Sequence, residues 1–194
     1  MTEITHDIVL AAGRGDQAAS REIIEALHRP VIATIYRFLG PRFHRDAEDI
    51  AQDVFLKVFR ALSRFDPAKA AFTTWVYSLV RNHCYDVLKK RRLPTSSLTP
   101  AEPGESQRDL PDRRELQPAR SAQNVELGRK IADALSELGE DQRMVFILRE
   151  YEGLDYDQIA EAVGVSKGTV KSRLFRAKET LRQRLDPYVR SGEP

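Results

Sequence analysis

Seven lysines and arginines stand against a single acid, Glu179, between Gly164 and Leu185 (GVSKGTVKSRLFRAKETLRQRL). At about 100° per residue, Val170, Leu174, Ala177 and Leu181 stack into one narrow apolar stripe. The opposite side carries Gly168, Ser172, Phe175 and Arg176, flanked by Lys171 and Arg173. The pattern predicts a helix resting its back on a small core, with Ser166 as N-cap after a turn glycine. Phe175 lies on the polar side, where no core requires it. In a DNA major groove arginine takes guanine edges and an aromatic ring meets a thymine methyl. The alternative is a plain helical hairpin whose basic face is merely solvated.

The residues just upstream supply what would position that helix. Tyr156 to Val163 (YDQIAEAV) places Ile159, Ala160 and Val163 at helical spacing, capped by Asp155 or Asp157. Gly164 and Val165 make the turn, which completes a helix-turn-helix. Four basic residues face ten acids from Glu126 to Glu161, the reverse of the balance that follows. Two opposed charge patterns that abut favour a domain with one end on phosphate and the other in water.

The first part of the chain carries two further surfaces. In DAEDIAQDVFLKVFRAL (46–62), Ile50, Val54, Val58 and Leu62 mark a core side, while Asp49, Gln52, Asp53, Leu56 and Arg60 form the far side. Acids that steer and a leucine that anchors suit a protein partner; a solvated face with one ordinary exposed leucine accounts for the same pattern. FTTWVYSLVRNHCYDVLKKRR (72–92) has one stripe of Val76, Val80, His83 and Val87 and another of Trp75, Leu79, Asn82 and Asp86. It ends in Lys89, Lys90, Arg91 and Arg92, which also favour the helix dipole. Aromatics among basic residues (Phe72, Trp75, Tyr77, Tyr85) fit single-stranded nucleic acid, bound by stacking and phosphate contact.

Periodicity and caps predict an all-α chain. A short helix near His6–Ala12 is followed by one from an Asp16 cap to Leu39, kinked or split at Pro30. Next come a helix from an Asp46 cap to about Leu62, one from about Thr73 to Arg92, then Val125–Leu138, Asp141–Tyr151 and the helix-turn-helix pair. Between 93 and 124 lie five of the ten prolines and no apolar periodicity, which reads as a disordered linker. Such a tether has a mean span of about 30 Å and a limit near ~100 Å, enough to join two sites two turns of B-DNA (~70 Å) apart. The expected organisation is two small helical domains, 1–92 and 125–194, joined by a flexible linker, 93–124. Net charge is only +2 over 194 residues, so charge distribution says more than charge total. A single cysteine, Cys84, excludes an internal disulfide and any multi-thiolate zinc site. Without a signal peptide or an apolar run of spanning length, a cytoplasmic setting and no membrane insertion are expected.

The chain resembles a bacterial RNA polymerase sigma factor of the extracytoplasmic-function group. Three blocks carry the likeness: DAEDIAQDVFLKVFRAL, FTTWVYSLVRNHCYDVLKKRR and LREYEGLDYDQIAEAVGVSKGTVKSRLFRAKETLRQRL. The resemblance implies an alternative sigma factor that binds core polymerase, recognises the minus-35 and minus-10 promoter elements and promotes strand opening. It implies that Asp49, Gln52, Asp53 and Leu56 bind polymerase, at the clamp helices of its largest subunit. Asn82 and the loop from Phe65 to Phe72, with Trp75, Asp86 and Lys89, would serve the minus-10 element and hold a flipped base. Taking a base out of the stack costs a few kcal/mol, so such a pocket helps to open DNA. Lys171, Ser172, Phe175 and Arg176 would read the minus-35 element. Arg149, Tyr156, Lys167, Thr169 and Arg173 would meet phosphates. Promoter DNA and an anti-sigma factor complete the implied partners, in the cytoplasm at the bacterial nucleoid. Two departures stand out: Leu138-Gly139 replaces the usual Leu-Pro, which should loosen that turn, and the tether is long and proline-rich.

Two other readings bear on the same residues. A stand-alone helix-turn-helix repressor or activator would not need the Asp49/Asp53 face or the Trp75–Asn82 helix. An enzyme would use Asp46, Glu48, Asp49 and Asp53 as a metal or acid–base cluster. His6, His28, His44 and His83 show no ligand spacing, and no phosphate loop or nucleophile motif occurs, so neither enzymatic activity, cofactor nor metal is expected.

Overall fold

A computed structural model describes residues 4–92 and 118–190. Among them are eight α-helices, two short 3-10 turns and no strand. They are α1 (His6–Gly13), α2 (Gln17–Leu39), α3 (Ala47–Ala61), α4 (Phe72–Arg92), α5 (Pro118–Glu137), α6 (Glu140–Glu150), α7 (Tyr156–Val163) and α8 (Lys167–Arg190).

α2 begins where Asp16 accepts the Ala18 and Ala19 amides at 2.8 and 3.0 Å. These two donors have no partner inside the helix, so the cap satisfies them. The helix then runs unbroken through Pro30 to Leu39, contrary to a split there. Proline forfeits one backbone bond, but Ile23, Leu27, Val31 and Ile35 are buried on either side of it. Burying each such side chain contributes about 1.5–3 kcal/mol, enough to carry the axis across one missing bond. α3 starts after Asp46 as expected, yet that side chain makes no cap bond. Its backbone is already αR, and its carboxylate instead accepts from Arg91 at 3.2 Å.

α1 packs on α2, and α2, α3 and α4 pack on one another. Val54, Val58, Val76, Val80 and Cys84 fill the space between them with the apolar side of α2. α5 starts at Pro118, ahead of the Val125 expected from periodicity; proline suits the first helical turn, and the alanine, arginine and glutamine that follow are good helix formers. α8 receives α5, α6 and α7. The rest of the expected linker, 93–117, lies outside the described residues.

The two sets of helices also pack on each other: α4 meets α7, and α2 meets α5 and α6. One cluster of buried apolar residues extends from Val9 through Phe38 and Val80 to Leu174. A smaller one joins Ala134, Leu135 and Leu138 of the α5 end to Ala177 and Leu181. Sequence periodicity gave no sign of this docking, because it reports which face is apolar and not what covers it.

Gly139 precedes α6 with φ −56° and ψ 143°, a conformation any residue, proline included, adopts. The turn is not loose. Arg143 donates to the carbonyls of Ser136 (2.5 Å) and Leu138 (2.9 Å), and across the interface to Phe38 (2.7 Å). Desolvation lowers the pKa of this arginine, first among the causes, but three accepting carbonyls hold the buried charge.

Candidate nucleic-acid interface

α7 opens with a capping box. Asp155 accepts the Asp157 and Gln158 amides at 2.8 Å, while Gln158 accepts the Asp155 amide at 2.9 Å. Asp155 is therefore the cap, which leaves Asp157 free to hold Lys167 at 2.6 Å. Gly164 closes the helix at φ 68°, in the left-handed region that glycine enters without steric cost. The Ser166 hydroxyl then accepts the Thr169 amide at 3.2 Å and starts α8. Val170, Leu174, Ala177 and Leu181 are all buried, so the apolar stripe is the back of α8. Lys171, Ser172, Phe175 and Arg176 lie bare on the outside, with Phe175 71 % exposed. Among the described residues it is the most exposed of the large hydrophobic side chains.

The five residues expected at phosphates fall into three groups. Thr169 and Lys167 stand at the start of α8, where helix amides also favour an anion. The bond to Asp157 raises the Lys167 pKa and keeps the ammonium charged. Arg149 and Tyr156 form a pair instead: the guanidinium lies 5.2 Å from the ring centroid and donates to the Leu154 carbonyl at 2.9 Å. Both support the turn before α7. Arg173 donates to Asp141 at 2.5 Å, and Asp141 also accepts the Tyr85 hydroxyl from α4 at 2.7 Å.

On α4 the aromatic residues separate by role. Phe65, Phe72 and Trp75 form one cluster, with ring centroids 5.3 to 5.8 Å apart. Phe72 is its buried member and acts as the floor; Phe65 and Trp75 are partly exposed. Asn82 is exposed, with its carbonyl oxygen accepting from Arg81 at 2.9 Å. Asp86 and Lys89 continue that side of the helix into solvent. Tyr77 and Tyr85, grouped with these rings from sequence, face the other way. Each hydroxyl donates to an acid of the second set of helices, Tyr77 to Glu152 and Tyr85 to Asp141, so neither ring is open for stacking. Burial, more than the nearby acids, pushes both phenol pKa values well up.

Asp49, Gln52, Asp53 and Leu56 project together from α3, with Leu56 53 % exposed. The acids offered as a metal or acid–base cluster instead fan out: Asp46 pairs with Arg91 at 3.2 Å, Glu48 with His28 at 2.9 Å, and Asp53 lies 3.6 Å from His83. Lys57 sits 2.7 Å from the other nitrogen of His83 and 3.8 Å from Asp86, linking the acidic face of α3 to α4. Sequence reading placed His83 in the core but missed this chain of contacts. It also missed Glu152, Thr34 and Arg143, since a single acid in a turn or a single threonine in a helix carries no periodic signal.

The helix-turn-helix with a bare reading face, beside a helical unit with an acidic face and an aromatic cluster, defines a multi-surface DNA-binding protein. Comparison with known proteins makes the class specific. Residues 23–93 match Sigma-70 region 2, and residues 128–181 match Sigma-70, region 4. The RNA polymerase sigma-H factor of Pseudomonas aeruginosa is 34 % identical over 196 residues, covering 98 % of each chain. The ECF RNA polymerase sigma-E factor of Escherichia coli K12 is 31 % identical over 194 residues, covering 98 % of this chain and 100 % of that one. Among solved structures, CnrH in complex with the cytosolic domain of CnrY shares the fold at TM-score 0.70 and 23 % identity, over 95 % of this chain and 99 % of that chain. The sigma factor RpoE of Bartonella quintana, in complex with the anti-sigma factor NepR, does so at 0.62 and 23 %, over 86 % and 96 %. The chain belongs to the extracytoplasmic-function group of RNA polymerase sigma factors. It is an alternative sigma factor for promoter recognition in transcription initiation, a regulator of polymerase and not an enzyme. Among the described residues no helix is long and apolar enough to cross a membrane.

Proposed function

We propose that residues 1–92 bind core polymerase and the minus-10 element, that 93–117 tether, and that the unit from α5 onward binds the minus-35 element. The reading rests on one observation above the others: Phe175, 71 % exposed, stands beside Lys171, Ser172 and Arg176 on a helix whose back is fully packed. Those four side chains select bases, because they alone combine exposure with the central position on the α8 face. Lys167, Thr169 and Arg173 meet phosphate; Arg149 and Tyr156 orient the turn that brings them there. Phe65, Trp75 and Asn82 hold a base drawn out of the minus-10 stack, over the Phe72 floor, while Asp86 and Lys89 flank the strand. Asp49, Gln52, Asp53 and Leu56 dock on the clamp helices of the largest polymerase subunit.

Two structural neighbours were solved as complexes, one with the cytosolic domain of CnrY and one with the anti-sigma factor NepR. An anti-sigma factor for this chain follows by family analogy, and the setting is the cytoplasm. The test is run-off transcription with core polymerase and a promoter library. Purified protein should direct initiation from a discrete promoter class and bind duplex promoter poorly by itself. No stimulation at any promoter, or tight specific binding without polymerase, overturns the reading.

A further inference from the structure

A polar site joins the two sets of helices. Glu152 lies in the turn after α6, with only 8 % of its side chain exposed. Its carboxylate accepts the Thr34 hydroxyl of α2 at 2.6 Å and the Tyr77 hydroxyl of α4, and Arg37 of α2 stands 3.9 Å away. All three partners belong to α2 or α4, and Thr34 is fully buried. Arg37 also covers the ring of Tyr151 at 4.0 Å. A carboxylate removed from water is tolerable only when donors surround it. Here every donor comes from the opposite unit.

We propose that this sigma factor holds itself shut, with Glu152 as a latch whose bonds to Thr34 and Tyr77 keep α5–α8 folded against α1–α4. The inference rests on the assignment of the minus-10 and minus-35 surfaces above. Two turns of B-DNA separate those elements by ~70 Å, whereas the docked units touch along α4 and α7. One closed molecule therefore cannot place both surfaces on one promoter, and the latch releases first.

Two features bear on how the contact opens. Beside the continuous apolar contact lie charged and hydroxyl groups that bond across it, Thr34, Tyr77 and Tyr85 to Glu152 and Asp141, which water solvates once the units part. The closed form also occupies a basic side chain at the end of α4: Arg92 is held across the interface by Glu140 of α6 at 2.5 Å. The pair of Arg173 and Asp141 at 2.5 Å, by contrast, lies within α5–α8 and persists when the units part.

The full chain carries one buried cysteine, so cysteines introduced at exposed Glu25 and Gln183 accept a fluorophore pair selectively. Single-molecule energy transfer on free protein should show a dominant high-transfer population. Glu152→Lys, which places an ammonium beside Arg37, should shift the open-to-closed ratio by about tenfold or more, the scale of hydrogen bonds to a charged group. Tyr77→Phe, which removes one hydroxyl and keeps the packing, should move it the same way by less. Both variants should raise run-off transcription at sub-saturating sigma factor and match wild type at saturation. A single low-transfer population in wild type, or unchanged transfer in both variants with helical circular dichroism intact, overturns the latch. So does opening that leaves sub-saturating transcription unaltered. Failure of wild type to direct transcription at saturation would instead sink the promoter-surface assignment, while the transfer populations would still report the latch.

Discussion

α4 and α8 are both long helices with basic residues and aromatic side chains, yet they use the aromatics in opposite ways. α8 keeps its packing stripe free of aromatics and leaves Phe175 bare. α4 gathers Phe72 and Trp75 into a cluster with Phe65 and turns Tyr77 and Tyr85 inward to acids. A duplex groove is read by something that protrudes from a rigid rod, and a flipped base is held by something that lines a recess. The difference lies in what backs each ring, not in how many rings each helix has.

The sharpest way to break this comparison is to truncate one phenylalanine on each side. Phe72→Ala should cost about 3–5 kcal/mol of stability, the usual range for a buried ring, and reads out as a lower urea midpoint. Phe175→Ala should stay within about 0.5 kcal/mol of wild type, as surface substitutions do. Its effect belongs to DNA: one base preference at the upstream element should weaken by ~1–3 kcal/mol in holoenzyme competition against a promoter library. Equal stability losses in the two variants would erase the distinction.

Lys167→Ala sharpens the same contrast within α8. It should weaken all promoter sequences about equally and reduce the slope of log affinity against log salt by about one. A sequence-selective loss would move Lys167 from the phosphate group to the base readers.

His83 supplies the smallest effect, on pH. Burial, followed by Lys57, lowers its pKa below the ordinary 6.5, while Asp53 and Asp86 pull the other way. The unfolded chain therefore takes up a proton near 6.5 that the folded chain refuses until lower pH. Its contribution is complete above 6.5 and is lost as pH falls toward the folded value. The urea midpoint of wild type should drop between pH 7 and pH 5.5 by more than that of His83→Gln. Parallel pH dependences would remove His83 from the account.

Helix identity and facing were legible in the sequence because both are local. The Val170, Leu174, Ala177 and Leu181 stripe, the Gly164 turn and the Asp16 cap follow from spacing and backbone chemistry within a few residues. Other features needed distant partners. Pro30 marks a kink or a split by local rules, and with Val31 and Ile35 buried beyond it the helix is not split. Asp46 has a cap's chemistry, but Arg91 takes it. Tyr77 has the composition of a stacking residue until Glu152, 75 positions later, accepts a hydrogen bond from its hydroxyl. The candidate DNA face was legible since it is defined by what does not touch it. The docking of the two units was not, because it is written in single residues on separate helices.

The burial of Cys84 has a consequence of its own. It is the chain's lone thiol, fully enclosed on α4 among Val80 and its neighbours, and burial pushes its pKa up to about 12. Thiolate is the form that peroxide and electrophiles attack, so the protein is chemically quiet at sulfur. An oxidising environment would leave Cys84 of the folded protein unchanged, so redox control through this thiol would require the surrounding core to open first.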